Sequence, residues 1–196
     1  MNLSPAIILL LEILATLFVV AYVVLAAKRR RLCWIPGAIA AALVGVVSYV
    51  RDLPMQAALQ GFYIVVSVYG YWNWRRSEVR GELPVGYAPI WWHLAAAAVI
   101  LPLSWFSAGL LASETRAAWP LADSLTTWAS VFATWLAARA RIENWVYWVV
   151  IDGVLVYLYY MQDAPIIALQ MLALTGMALG GYLAWRRRLR LQAVRG

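Results

Sequence analysis

Apolar positions along this chain gather into seven long runs, at roughly 4–27, 33–50, 54–74, 88–109, 119–138, 143–161 and 164–185, parted by short polar or basic breaks. About 20 mostly apolar residues are enough for an α-helix to cross the hydrocarbon core of a bilayer, so each run predicts one transmembrane helix. Together the runs use most of the 196 residues and leave no room for a soluble domain. The expected fold class is an all-α integral membrane protein with seven transmembrane helices. Composition changes nothing in that picture: 65% of residues are hydrophobic, 13% are charged, and there are 12 tryptophans.

Charge adds orientation. The formal net charge is +7, and it is not spread evenly. Lys28 to Arg31 follow run one; Arg75, Arg76 and Arg80 follow run three; Arg139 and Arg141 follow run five; Arg186, Arg187, Arg188, Arg190 and Arg195 follow run seven. Of the 16 basic residues only Arg51 and Arg116 fall on the other side. Cytoplasmic loops carry the excess of Lys and Arg, so the N-terminus is expected outside and the C-terminus in the cytoplasm. The basic clusters then mark topology and meet lipid headgroups, and a nucleic-acid partner is not expected. Run one is longer than a signal peptide and has its basic residues after it, so it reads as a retained helix. Cys33, a single cysteine, offers no disulfide and no metal set. His93, beside Trp91 and Trp92, reads as an interfacial residue.

The chain also repeats itself. Displaced by 111 positions, so that Trp34 falls on Trp145, it brings Glu12 onto Asp123, Thr16 onto Thr127, Asp52 onto Asp163 and Pro54 onto Pro165. Gly70-Tyr71 falls on Gly181-Tyr182, and Trp74-Arg75-Arg76 on Trp185-Arg186-Arg187. Runs one to three therefore recur as runs five to seven, with run four between them. One connecting helix restores the orientation, so two parallel three-helix repeats are expected, an arrangement used by transporters with a site at the repeat interface. The expected divisions are 1–76 for the first repeat, 77–115 for a loop and the linker helix, 116–188 for the second repeat and 189–196 for a basic cytoplasmic tail.

Polar residues inside the runs are the candidate chemistry, because a charge near the bilayer centre costs about 2.5–3.5 kcal/mol on insertion scales. Trp145, Trp148 and Asp152 stand at i, i+3 and i+7, on one helix face. Two indoles and a carboxylate suit a flat cationic ligand, each ring contributing about 0.5–2 kcal/mol. The bland alternative makes Trp145 an interfacial anchor and Asp152 a bond to a neighbouring helix. Trp34, the mate of Trp145, has no matching tryptophan or acid behind it, so the repeats differ here. Run five carries a stripe of Asp123, Thr127, Ser130 and Thr134, which fits a water-facing wall and, nearly as well, hydrogen bonds between helices. Gln60, Ser67 and Tyr71 share a face of run three, and Gln170 holds a near-equivalent place in run seven. Trp72, Trp74, Trp91, Trp92, Trp119 and Trp185 sit at run ends and read as an aromatic belt. Met55, Met161, Met171 and Met177 read as packing residues.

Taken in order, Leu59-Gln60, the Tyr69–Trp74 segment YGYWNW, the pair Asp123-Ser124, the motif ENWxxWxxxD from Glu143 to Asp152, and Gln170 with Gly181 and Trp185 resemble the PnuC-type vitamin transporters. The match runs over nearly the whole chain. It implies a three-plus-one-plus-three, SWEET-like fold, a homotrimer, and residence in a bacterial inner membrane. It further implies facilitated diffusion of nicotinamide riboside, trapped by cytoplasmic phosphorylation for NAD biosynthesis. Carried over by position, Trp145, Trp148 and Asp152 line the ligand site and Gln60 and Gln170 assist. Many riboside carriers have Asn in place of Asp152 and of Ser67, and related carriers take thiamine, which is also cationic and aromatic. No cofactor is implied. An integral membrane enzyme is the rival of another class, but there is no Walker A loop, H-E-x-x-H or G-x-S-x-G to support one. Glu12, Asp123 and Asp152 leave proton coupling open as a variant of transport.

Overall fold

In the computed structural model the described residues are 3–51, 54–80, 85–114 and 119–193, with the side chains of 54, 55 and 114 set aside. The expectations for Asp52, Met55, Arg116 and Arg195 therefore lie outside what is described. Seven α-helices follow in order: α1 (Pro5–Ala27), α2 (Trp34–Val50), α3 (Pro54–Val79), α4 (Ile90–Glu114), α5 (Pro120–Ala138), α6 (Glu143–Met161) and α7 (Pro165–Ala193), with a short 3-10 turn at Arg31–Cys33. The chain is an all-α integral membrane protein. Proline opens α1, α3, α5 and α7, where its missing N–H costs nothing and its fixed φ favours the first turn. Ser4 caps α1 by accepting from the Ile7 N–H.

Two details differ from the pattern of apolar runs. Helices α3 and α7 do not stop where their apolar runs stop. They continue through Val79 and Ala193, because arginine is a good helix former and snorkels from an interface without breaking the helix. The second concerns apolar character. Pro5–Ala27, Arg31–Val50, Ile90–Ser113 and Pro165–Ala193 are each apolar and long enough to cross a membrane on composition alone. Helices α3, α5 and α6 fall short of that measure, and they are the helices that hold Gln60 and Ser67, Asp123 and Thr127, and Glu143, Asn144 and Asp152.

The chain divides into two compact units. One comprises residues 1–84 with 138–140 and 192–196, the other 85–137 with 141–191. In the first unit α2 packs against both α1 and α3. Its core is aromatic: the Trp34 ring meets Trp74 edge-on at 5.4 Å between centroids and Tyr22 at 5.6 Å. The indoles come that close because residue 70 is glycine; a β-carbon there would stand 2.4 Å from the Trp34 ring. The Ala138 carbonyl accepts from Trp74 Nε1 at 3.2 Å and from Asn73 Nδ2 at 2.9 Å.

The second unit repeats that core at the expected displacement. Trp145 meets Trp185 edge-on at 5.6 Å, and a β-carbon on Gly181 would stand 2.6 Å from the Trp145 ring. Trp74 and Trp185 are thus buried packing residues, not belt residues as expected. Trp72, Trp91 and Trp119 remain exposed. The helix ends repeat too. Arg29 (φ 60°) and Ala140 (φ 55°) adopt the left-handed conformation after α1 and α5, and the next residue donates back across the same turn, Arg30 N–H to Leu25 O and Arg141 N–H to Leu136 O, both 2.9 Å. Cys33 is fully buried, as a packing residue should be.

Large apolar side chains cover the outside of these helices, Leu17 on α1, Trp105 and Phe106 on α4 and Leu183 on α7 among them. In water such surfaces mark interfaces; on apolar helices they face lipid.

Candidate functional site

The candidate residues divide between the two units. In the second unit α6 supplies Trp145, Trp148 and Asp152, α5 supplies Asp123 and Thr127, and α7 supplies Gln170. In the first unit α3 supplies Gln60, Ser67 and Tyr71.

The start of α6 is fixed by its first residues. Glu143 Oε1 accepts from the Ala88 N–H at 2.9 Å, and the Ile142 N–H donates to the Gly86 carbonyl at 3.0 Å. The Arg141 guanidinium donates to the Tyr87 carbonyl at 3.2 Å and lies over Trp92, 5.5 Å from its centroid. The segment before α4 is thereby stitched to the segment before α6. One turn further, Tyr147 stacks on His93 of α4, with its hydroxyl 3.1 Å from Nδ1. His93 is held by a phenol and by the edge of Phe132, a more built environment than the interfacial position expected for it.

Along α6 the trio separates in environment. Trp145 is buried and spends its ring on Trp185 and Gly181. Trp148 is half-buried, without a ring partner among the described residues. Asp152 is 6% exposed, and its carboxylate makes no hydrogen bond or ion pair with any described residue. Buried polar groups are almost always bonded, and carboxylates above all, so this one requires a reason.

On α5 the polar stripe also divides. Ser130 and Thr134 donate to the backbone of their own helix, to Thr127 O and Ser130 O, each at 2.7 Å. The side chains of Asp123 and Thr127 make no such bond. Asp123 lies within electrostatic reach of Tyr159 on α6. Gln170 is half-buried on α7.

In the first unit Gln60 and Ser67 are both buried on the side of α3 that meets α2. Gln60 lines a groove of about 380 Å³ between α2 and α3, together with Ala41, Gly45, Ala57 and Gly61. Tyr71 belongs to the basic end of α3, where the Arg31 guanidinium sits 5.9 Å from its ring. Among the described residues no group of three or more His, Cys, Asp or Glu is placed to hold a metal ion.

Sequence reasoning passed over the residues that explain the asymmetry. Gly37 is the repeat mate of Trp148, and a β-carbon on it would stand 2.9 Å from the Tyr22 ring. Ala41, buried like Asp152, is the mate of that acid. Glu12, the mate of Asp123, is paired with Arg51 at 2.7 Å, whereas the mate of Arg51 is Gln162. The displacement of 111 was the signal for all three.

Seven helices in a three-one-three order, with most of the candidate polar groups on α3, α5 and α6, suit an integral membrane transporter. The family model described as nicotinamide mononucleotide transporter matches residues 9–187. The chain belongs to that family, the PnuC type. It is 26% identical over 176 residues to the nicotinamide riboside transporter PnuC of Escherichia coli strain K12, across 76% of this chain and 73% of the relative, and equally so to that of Shigella flexneri. Its fold is that of a solved structure described as the vitamin B3 transporter PnuC, with a TM-score of 0.70 at 20% identity over 90% of this chain and 80% of the other.

Proposed function

We propose that this protein carries a cationic, aromatic B-type vitamin across the bacterial inner membrane, and that the vitamin is nicotinamide riboside. Movement is by facilitated diffusion with alternating access, and cytoplasmic phosphorylation traps the cargo. The observation that carries this reading is Asp152, a buried carboxylate with no partner among the described residues, one turn beyond an indole with no ring partner. A pyridinium stacked on Trp148 places its charge where the Asp152 carboxylate offsets it, and the Gln170 amide of the same unit suits ribose hydroxyls. Asp123 and Thr127 add polar groups to that unit, and Trp145 backs the site from its seat on Gly181. The names of the curated relatives support the riboside. The N-terminus lies outside, the C-terminus in the cytoplasm, and three copies assemble.

Thiamine is the second reading, and Asp152 favours it, because many riboside carriers have an uncharged Asn in that place. Calorimetric titration of the purified protein with nicotinamide riboside, nicotinamide mononucleotide and thiamine separates them. Riboside binding with no thiamine binding is the expected result; tight thiamine binding without riboside binding overturns the choice of cargo. Uptake into proteoliposomes with and without an imposed pH gradient tests coupling. The expected rate is the same in both, and accumulation driven by the gradient would replace facilitated diffusion with proton symport.

A further inference from the structure

The outer face of α3 near its basic end holds a hollow of about 450 Å³ lined by Tyr69, Trp72, Asn73 and Arg76. These stand at i, i+3, i+4 and i+7, on one side of the helix. The opposite side is the buried one, carrying Ser67, Gly70 and Trp74. The hollow belongs to none of the candidate transport residues.

Three features give it a ligand chemistry. Its walls are aromatic and exposed, Trp72 at 49%. Cations ring it: the Arg75 guanidinium sits 5.0 Å from the Trp72 ring centroid and the Arg139 guanidinium 5.8 Å from that of Tyr69. The Arg76 side chain makes no ion pair or hydrogen bond with any described residue, and Glu78 on the same helix is already paired with Arg31 at 2.9 Å. The floor is fixed, because the Asn73 amide is tied to the Ala138 carbonyl. The place in the helix supplies the source. Over about four turns α3 passes from exposed Val65 and Val68 to Arg75, Arg76 and Arg80, the step from hydrocarbon to headgroup.

We propose that this hollow is a binding site for the headgroup of an anionic phospholipid. The phosphodiester is held by Arg76 and Arg139, with the glycerol against Tyr69 and Trp72 and the acyl chains along Val65 and Val68. Guanidinium groups match phosphate oxygens two at a time, and the aromatic walls suit the glycerol level of a leaflet. The site does not select the transported cation, which arginines repel.

Native mass spectrometry of the purified full chain, titrated with phosphatidylglycerol or phosphatidylcholine, tests it. Phosphatidylglycerol is retained in preference, one molecule per chain. Arg76→Ala lowers its apparent affinity about fivefold, the equivalent of roughly 1 kcal/mol per basic residue at an anionic surface. Arg76→Lys loses less, and Arg187→Ala, on α7, leaves it unchanged. Equal retention of the two lipids, or Arg76→Ala binding as the parent does, overturns the proposal. Displacement of the lipid by an equal concentration of glycerol 3-phosphate would make this a free-phosphate site and overturn the assignment to lipid. A changed oligomeric mass in Arg76→Ala with lipid retention unaltered would mean that a second copy covers this face, and would overturn it too. Trp72→Ala, which leaves every arginine in place, weakens both lipids alike.

Discussion

The helices α1–α3 and α5–α7 are built on one plan, and they differ at the positions proposed to bind the cargo. Both hold an indole on a glycine with a second indole edge-on against it, Trp34–Gly70–Trp74 and Trp145–Gly181–Trp185. Both end their first helix in the same left-handed turn. The first set then finishes its polar business internally: Glu12 is paired with Arg51, Ala41 stands where Asp152 stands, and Tyr22 covers Gly37. The second set leaves the Asp123 and Asp152 carboxylates without a hydrogen bond or ion pair among the described residues and puts Trp148 where a glycine was. Duplication supplies two equal scaffolds, and only one copy has to keep each stabilising pair. The other is free to hold groups that cost stability and bind something.

The largest effect is expected at Asp152. Replacing it by the residue its mate carries, Asp152→Ala, should weaken cationic vitamin binding by more than about 30-fold, or at least ~2 kcal/mol, since the ligand charge then enters a buried site with no counter-charge. The same change should raise the thermal midpoint, because an unpartnered buried carboxylate is removed. Titration and a melting curve on one preparation check both signs; a variant that loses stability as well as binding would make Asp152 a packing residue and erase the contrast between the repeats.

Gly70→Ala and Gly181→Ala come next. Each methyl meets an indole ring below 3 Å, and overpacking of this kind costs about 1–3 kcal/mol. The two losses in thermal stability should be similar if the scaffolds are equal. A loss at one position only would show that they are not.

Trp148→Ala should weaken binding at least tenfold, about 1.4 kcal/mol, and leave folding largely intact. Unchanged affinity in a calorimetric titration would remove stacking from the proposal. Gln162→Arg is the mildest test, since it recreates at Asp123 the pair that Arg51 makes with Glu12. Exposed ion pairs contribute about 0–1 kcal/mol, so a severalfold fall in uptake is the expected outcome, and uptake at the parent rate would place Asp123 outside the path.

Helix number and order were legible because apolar length is a coarse signal and basic breaks punctuate it. The ends of α3 and α7 were not, since arginine ends an apolar run without ending a helix. The face shared by Trp145, Trp148 and Asp152 follows from spacing alone. Spacing says nothing of which indole is already occupied, and Trp145 meets Gly181 only through the fold. The same blindness turned Trp74 and Trp185 into interfacial residues: a tryptophan beside an arginine at a span end reads one way in sequence, and the indole that buries it, Trp34 or Trp145, is on another helix. Glu143 was visible as part of a motif, but its bond to a backbone N–H 55 positions away was not.

The buried indole pairs also give each half of the molecule its own optical signature. Four of the 12 tryptophans, Trp34 with Trp74 and Trp145 with Trp185, emit from surroundings set by the protein and not by detergent. Replacing one pair with phenylalanine leaves the other as the dominant interior emitter, so heating such variants in turn would reveal whether the ancestral duplicates melt as one or in succession.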